Sequence, residues 1–343
     1  MWARVRTVAV VALAIALVVW FLRHANLTSV WHELQGGRLD YLAVALFATL
    51  MTYLIRAFRW QYLLRPLGRP HFLICLKTTV IGFAASTLLP ARAGEVLRPY
   101  LLARREGFSA TATFASIVIE RLLDLIAVLL LFGVFLLFFA DGLVIKDPNV
   151  WAALKLGGLS FAAGSLVVLG IMMVMAPHPE RLSAWALKIE RLLPDKLARL
   201  LASLVKGFVE GLAVVRQPGR MATAMALSIP LWLSIAVGIW ATSRAFHIEM
   251  SYPSSFVMMV ILVVGVAVPT PGAVGGFHEA YRIGATVFFA TSNDRAVGAA
   301  IVLHAMSFVP VTIAGAIFMA QEGISFSGAS GLAPRGTTEE SST

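Results

Sequence analysis

The chain has 343 residues, 59% of them hydrophobic and 13% charged, with a formal net charge of +10 and a mean hydropathy of +0.83. A soluble domain of this length carries about a quarter charged residues, so the composition excludes a soluble enzyme and gives an all-α polytopic membrane protein. The single cysteine, Cys75, excludes an internal disulfide and a cysteine-ligated metal, and neither metal nor cofactor is expected.

In chain order, apolar runs of spanning length occur at Val5–Leu22, Leu42–Leu54, Phe114–Ala140, Leu156–Ala176, Met221–Ala241 and Ala296–Met319. Arg23 and His24 follow the first run where a leader peptide would need small residues, so an uncleaved span is expected there. Arg56 and Arg59, just past the second run, are expected to snorkel to the cytoplasmic interface. Shorter apolar pieces at Phe72–Leu89, Phe256–Val268 and Ile283–Ala290 flank two breaks, Pro90 to Gly94 and Pro269 to Gly276. A helix over Phe72–Leu89 would reach only about 25 Å. Each break therefore reads as the tip of a re-entrant hairpin, the first entered from the cytoplasm and returning through Glu95–Ala103. The expected fold is about six transmembrane helices plus two such hairpins.

The chain divides near residue 150 into halves of about 1–150 and 151–320, each reading span, span, hairpin, span. Three crossings per half give the halves opposite orientation, an inverted repeat within one domain over residues 1–320. Between spans four and five, residues 180–215 place leucines at helical spacing with lysines and arginines between them, the pattern of amphipathic helices on the inner leaflet. Residues 321–343, rich in Ser, Gly and Thr from Ser325, read as a disordered tail. The basic residues follow the loops rather than a nucleic-acid-binding module. Segments 1–7, 56–77, 104–105 and 177–220 hold 2, 5, 2 and 8 Lys or Arg, against 2 each in 23–39 and 141–155. Both termini are thus expected in the cytoplasm and the chain in the plasma (inner) membrane.

The breaks carry the chemistry. Irregular backbone and charge inside lipid cost several kcal/mol per unsatisfied group, so they persist where protein or a hydrated cavity satisfies them. Arg92, Glu95 and Arg98 follow Pro90 and Gly94 at intervals of three, and Glu120, Arg121 and Asp124 open the third span. Two arrangements suit these charges: a buried ion-pair network that fixes helix packing, or an electropositive niche for phosphate, built from guanidinium forks and the helix amides after Gly94. The second break offers Pro271, Gly275 and Gly276 as backbone that a substrate or the first tip approaches, then His278, Glu279 and Arg282. His304 in the last span faces the same region in this reading, and His278, Glu279 and His304 are candidate proton carriers. Walker, zincin, dinucleotide-fold and nucleophile-elbow motifs are absent from the sequence.

The stretches Leu89-Pro90-Ala91-Arg92-Ala93-Gly94-Glu95-Val96-Leu97-Arg98, Glu120-Arg121-Leu122-Leu123-Asp124 and Pro269-Thr270-Pro271-Gly272-Ala273-Val274-Gly275-Gly276-Phe277-His278-Glu279 resemble the lysylphosphatidylglycerol synthase transmembrane, or flippase-like, family. In two-part members this membrane domain moves an aminoacylated phospholipid between leaflets, while a separate soluble domain performs aminoacyl transfer. The chain ends in a short tail, so the resemblance implies a stand-alone lipid-translocating domain without the synthase activity. Its expected partners are membrane lipids: an anionic or zwitterionic phospholipid, or a lipid-linked intermediate. Arg92, Arg98 and Arg282 would hold phosphate. Glu95, Glu120, Asp124 and Glu279 would orient them or bind a cationic headgroup. Two alternatives stay open: a membrane-embedded transferase acting on a lipid-linked substrate, and a partner subunit of an envelope biosynthetic enzyme. A homo-oligomer is compatible with either.

Overall fold

A computed structural model describes residues 26–89, 92–139, 148–175, 217–268 and 270–322. The expected first span, Pro90, the interfacial helices at 180–215 and the tail from 323 lie outside the described residues. The described residues are helical, with no strand among them: α1 Leu27–Gln35, α2 Leu39–Leu64, α3 Phe72–Leu88, α4 Gly94–Glu106, α5 Ala110–Phe138, α6 Pro148–Met175, α7 Pro218–Ala245, α8 Ser255–Ala267, α9 Gly276–Phe288 and α10 Asn293–Gln321. Among the described residues, four helices are long and apolar enough to cross a membrane: α2, α5, α10 and the Gly219–Ala245 stretch of α7. A multi-pass membrane protein follows.

Local chemistry sets the ends. Asn26 caps α1 through its side chain, Ser109 caps α5, and Gly107, at φ 70°, closes α4 in the left-handed conformation that terminates helices. Helix boundaries depart from the apolar runs in several places, as where α6 begins at Pro148 rather than Leu156. The second apolar run does not stop at Leu54; α2 continues ten residues further because its charged positions find partners inside the protein. Gln321 ends α10 and Glu322 pairs with Arg105, so the first two residues assigned to the tail belong to the last helix and its cap.

The short helices form two antiparallel hairpins. In the first, His71 and Glu106 meet at the open end, while Gly82 in α3 faces Gly94 in α4 near the tip. In the second, Met258 meets Gly284, and Gly265 faces Gly276. A glycine pair in each lets backbone touch backbone where the two arms are closest. With 17, 13, 13 and 13 residues, the arms reach about 25 and 20 Å, short of a 30 Å hydrocarbon core.

Helix contacts pair off when α2, α3, α4 and α5 are exchanged with α7, α8, α9 and α10. α2 and α7 pack along each other; α3 on α10 matches α8 on α5; α4 on α5 matches α9 on α10; and α2 on α3 matches α7 on α8. The tips also exchange. The 3-10 turn Pro271–Ala273 of the second hairpin rests on α3, where Gly272 lies against Thr87, and Arg92 of the first reaches the carbonyl of Val266 in α8. Gly272 holds φ 59° in that turn, a backbone position glycine takes without steric cost. A Cβ at Gly272 would lie 3.2 Å from Thr87 Cγ2. Thr87→Cys paired with Gly272→Cys, in a Cys75→Ala background, should therefore be joined by a short bifunctional thiol reagent within one chain. Absence of the intramolecular product on gel and peptide mapping would separate the tips.

Candidate functional site

Five charged residues of the first half converge on one buried cluster. Arg56 and Arg59 lie one turn apart on α2, and Glu120 and Asp124 lie one turn apart on α5. Arg98 enters from α4. Its two terminal nitrogens donate to Glu120 Oε1 and Oε2 at 2.9 and 3.1 Å, a bidentate fork. Arg59 Nη1 donates to Asp124 Oδ1 at 2.7 Å, and Arg56 Nη1 lies 3.4 Å from Glu120 and 3.3 Å from Asp124. All five side chains are buried. Arg56 and Arg59 therefore do not snorkel, because carboxylates within the helix packing hold them. The positive-charge count of the segment 56–77 then rests on Arg65, Arg69 and Lys77.

Several residues outside the charged motifs complete the cluster. The Arg98 guanidinium stacks 3.9 Å from the Trp60 ring, and Trp60 Nε1 donates to Ser116 Oγ at 3.0 Å. From α7, Trp232 Nε1 donates to Asp124 Oδ1 at 3.0 Å and Ser228 Oγ accepts from Arg59 at 2.7 Å. The matching one-turn spacings of Arg56 and Arg59 in one helix and Glu120 and Asp124 in another were passed over in the sequence reading, which placed Arg56 and Arg59 at the interface. The cluster is unbalanced. Three buried guanidiniums face two carboxylates, and the Nε atoms of Arg56, Arg59 and Arg98 have no hydrogen-bond partner.

Beside the cluster lies a cavity of about 140 Å³, lined by Arg92, Glu95, Arg98 and Arg121 and by residues of both tips, among them Thr87, Thr270 and Gly272. The N-terminus of α4 opens on it at Gly94, and Ala93 supplies no side-chain cap to the first amides. Glu95 pairs with Arg121 at 3.6 Å, and Arg121 also approaches Asp124 at 3.9 Å. Arg92 sits at φ 52°, in the left-handed region that costs a non-glycine residue about 1–2 kcal/mol, and its Nη2 donates to the Val266 carbonyl. A second cavity of about 450 Å³ shares Phe83, Arg92, Arg121, Val266 and Phe308 with the first. Most of its wall is apolar, including Ile235, Ile239, Met259, Leu262, Phe277 and Leu303, with Thr52 and Ser234 hydroxyls on one side.

The second break is built differently. Gly275, at φ 88°, precedes α9 and donates its N–H to His278 Nδ1 at 3.3 Å. The His278 and His304 rings lie 4.5 Å apart, His304 stacks on Phe308, and His304 Nε2 donates to the Gly272 carbonyl at 2.8 Å. These histidines brace the tip. Gly276 is small because the Gly265 carbonyl of its own hairpin lies against it, 2.5 Å from where a Cβ would stand, rather than because the first tip approaches. Glu279 forms a bidentate pair with Arg282, which also donates to Asn293 at 3.1 Å. Neither Glu279 nor Arg282 lines the two cavities, so the structure brings Arg92, Glu95, Arg98 and Arg121 together, sets Glu120 and Asp124 behind them, and leaves Glu279 and Arg282 apart.

Glycosyltransferase AglD of Haloferax volcanii is 23% identical over 328 residues, an alignment covering 89% of this chain and 52% of that protein. The chain thus spans about half the length of this relative. Residues 7–315 match the family described as the lysylphosphatidylglycerol synthase TM region, a stretch that contains both hairpins, the buried charge cluster and both cavities. The chain belongs to the lysylphosphatidylglycerol synthase TM region family.

Proposed function

We propose that this chain moves a polar lipid between the leaflets of the inner membrane, its headgroup passing through the cavity where the two breaks meet. One observation carries the reading: a small arginine-lined compartment shares a wall with a larger apolar one, so a charged headgroup and an attached chain both find matching surroundings. The hairpins are re-entrant in this reading, which their short arms support. The matched contacts of the two sets of helices support an inverted repeat, and the distribution of Lys and Arg among the loops supports termini in the cytoplasm. Arg98 holds the headgroup side of the cavity through its stack on Trp60 and its fork on Glu120.

The test is leaflet exchange of fluorescent phospholipids in vesicles containing the purified full chain, read by quenching of the outer leaflet. Arg98→Lys keeps the charge and loses the planar fork, and exchange is expected to slow by about tenfold or more while the protein stays folded. Exchange at the rate of protein-free vesicles, or an undiminished rate in Arg98→Lys, would count against the reading. A second reading, transfer chemistry on a lipid-linked substrate, is favoured by the name of the relative AglD. A covalently altered labelled lipid after incubation with the purified chain would select it.

A further inference from the structure

The cavity walls are asymmetric in charge. Four arginines line the two compartments, Arg92, Arg98 and Arg121 in the small one and Arg56, Arg92 and Arg121 in the larger, and Glu95 is the sole carboxylate that does so among the described residues. Glu95 is already engaged by Arg121. With the buried pairs behind the wall included, five guanidiniums stand against three carboxylates. A cationic headgroup would enter a region with no uncommitted carboxylate. An anionic one would relieve an excess of positive charge in a low-dielectric setting, where that excess is costly.

Three groups favour an anion there. Arg98 is 3% exposed at the small cavity, with both terminal nitrogens on Glu120 and its Nε buried, so it contributes positive charge to the wall rather than a free donor. Gly94 and Glu95, the first residues of the 13-residue helix α4, line the same space, and the N-cap residue Ala93 makes no side-chain hydrogen bond to that helix end, where the helix dipole favours an anion. Arg92 is tied to a backbone carbonyl, with no carboxylate paired to it among the described residues, so it can exchange that neutral acceptor for a charged oxygen. Guanidinium forks with helix amides match the oxygens of a phosphate better than a single-point acceptor.

We propose that the small cavity is a receptor for the phosphate of a net-anionic lipid headgroup and discriminates against headgroups carrying a compensating cation. This rests on the lipid-translocation reading and narrows its substrate class. The phosphate arrives on a lipid rather than free, because Arg92 and Arg121 also wall the apolar compartment, where an attached chain fits. Binding draws Arg92 from the Val266 carbonyl, and with it loosens the contact between the two tips.

The experiment is competitive binding to the purified full chain by native mass spectrometry, using phosphatidic acid, phosphatidylglycerol, phosphatidylethanolamine and the lysyl ester of phosphatidylglycerol with identical acyl chains, and separately inorganic phosphate. Retention of the two net-anionic lipids should exceed that of the lysyl ester by about tenfold, a difference of ~1.4 kcal/mol. Arg92→Gln, an exposed position whose loss orphans no buried charge, should flatten the preference, and Glu95→Gln should sharpen it. Equal or tighter retention of the lysyl ester, or a preference unchanged in both Arg92→Gln and Arg121→Gln, overturns the proposal. Inorganic phosphate displacing lipid at equal concentration overturns the lipid source. Leaflet exchange separates the two readings: rapid exchange without charge preference removes this inference and leaves translocation standing. Selective anionic binding without exchange does the reverse.

Discussion

Glu120→Ala should be the most destabilising single substitution in the chain. Glu120 is fully buried and lies within 3.6 Å of Arg56, Arg59 and Arg98. Its removal leaves three buried guanidiniums facing Asp124 alone. Breaking a buried pair by deleting one partner costs about 3–5 kcal/mol, because the surviving charge stays desolvated, and here three survivors share the deficit. Glu120→Gln retains hydrogen-bond acceptance toward Arg98 and should lose less. Thermal unfolding of detergent-solubilised protein, followed by loss of the monodisperse peak, gives the order wild type, Glu120→Gln, Glu120→Ala. Equal melting of Glu120→Ala and wild type would mean that water reaches the cluster and screens it. In the Glu120→Ala/Arg98→Ala double variant part of the loss should return, since the two substitutions share one interaction.

The sequence carried the helices better than it carried their partners. Apolar runs such as Phe114–Ala140 and Ala296–Met319 declare themselves by length alone, and α5 and α10 follow them closely. The two breaks were also legible, because Pro and Gly beside charge cannot continue an apolar helix without compensation. Arg56 and Arg59 were not. Positioned at the edge of an apolar run, an arginine ordinarily extends toward water, and periodicity says nothing of a carboxylate more than sixty residues away. Trp60, Ser116, Ser228 and Trp232 were invisible for a related reason: they bind the cluster through single polar atoms on otherwise apolar faces. Glu279 and Arg282 show the opposite failure. Their i, i+3 spacing resembles that of Glu95 and Arg98, but Arg282 closes on its own helix neighbour, whereas Arg98 turns away to Glu120.

Gly94→Ala should come second in severity, through sterics rather than charge. A Cβ at Gly94 would fall on the Gly82 carbonyl oxygen and within 2.6 Å of the Ser86 amide nitrogen, both backbone atoms that cannot swing aside. Overpacking of a filled core costs about 1–3 kcal/mol where side chains can adjust, and this contact should lie at or above the top of that range. The two arms would have to part, moving Arg98 on α4 away from Glu120 on α5. Loss of leaflet exchange and a lowered melting temperature should appear together. Gly164→Ala on α6, where an added Cβ meets nothing within 4 Å, serves as the control and should leave both unchanged. Normal stability in Gly94→Ala would show that the arms of the first hairpin are not in backbone contact.

The exchange of contacts between the two sets of helices governs the order in which the chain can be assembled. The first hairpin packs on α10, the last described helix, and the second hairpin packs on α5, which precedes it by well over a hundred residues. During synthesis α3 and α4 are therefore made long before the helix that covers α3 exists. The ion pairs linking α2, α4 and α5 can close at once, since all three helices are made early, and they tether the first hairpin through that interval. The buried ion pairs behind the polar cavity are thus placed to act as a scaffold during assembly, holding the early helices in register until α10 is made. Closure of so many contacts between remote segments is slow in any topology. Truncation before α10 would leave α3 without its cover, a state that quality-control proteases of the membrane are equipped to recognise.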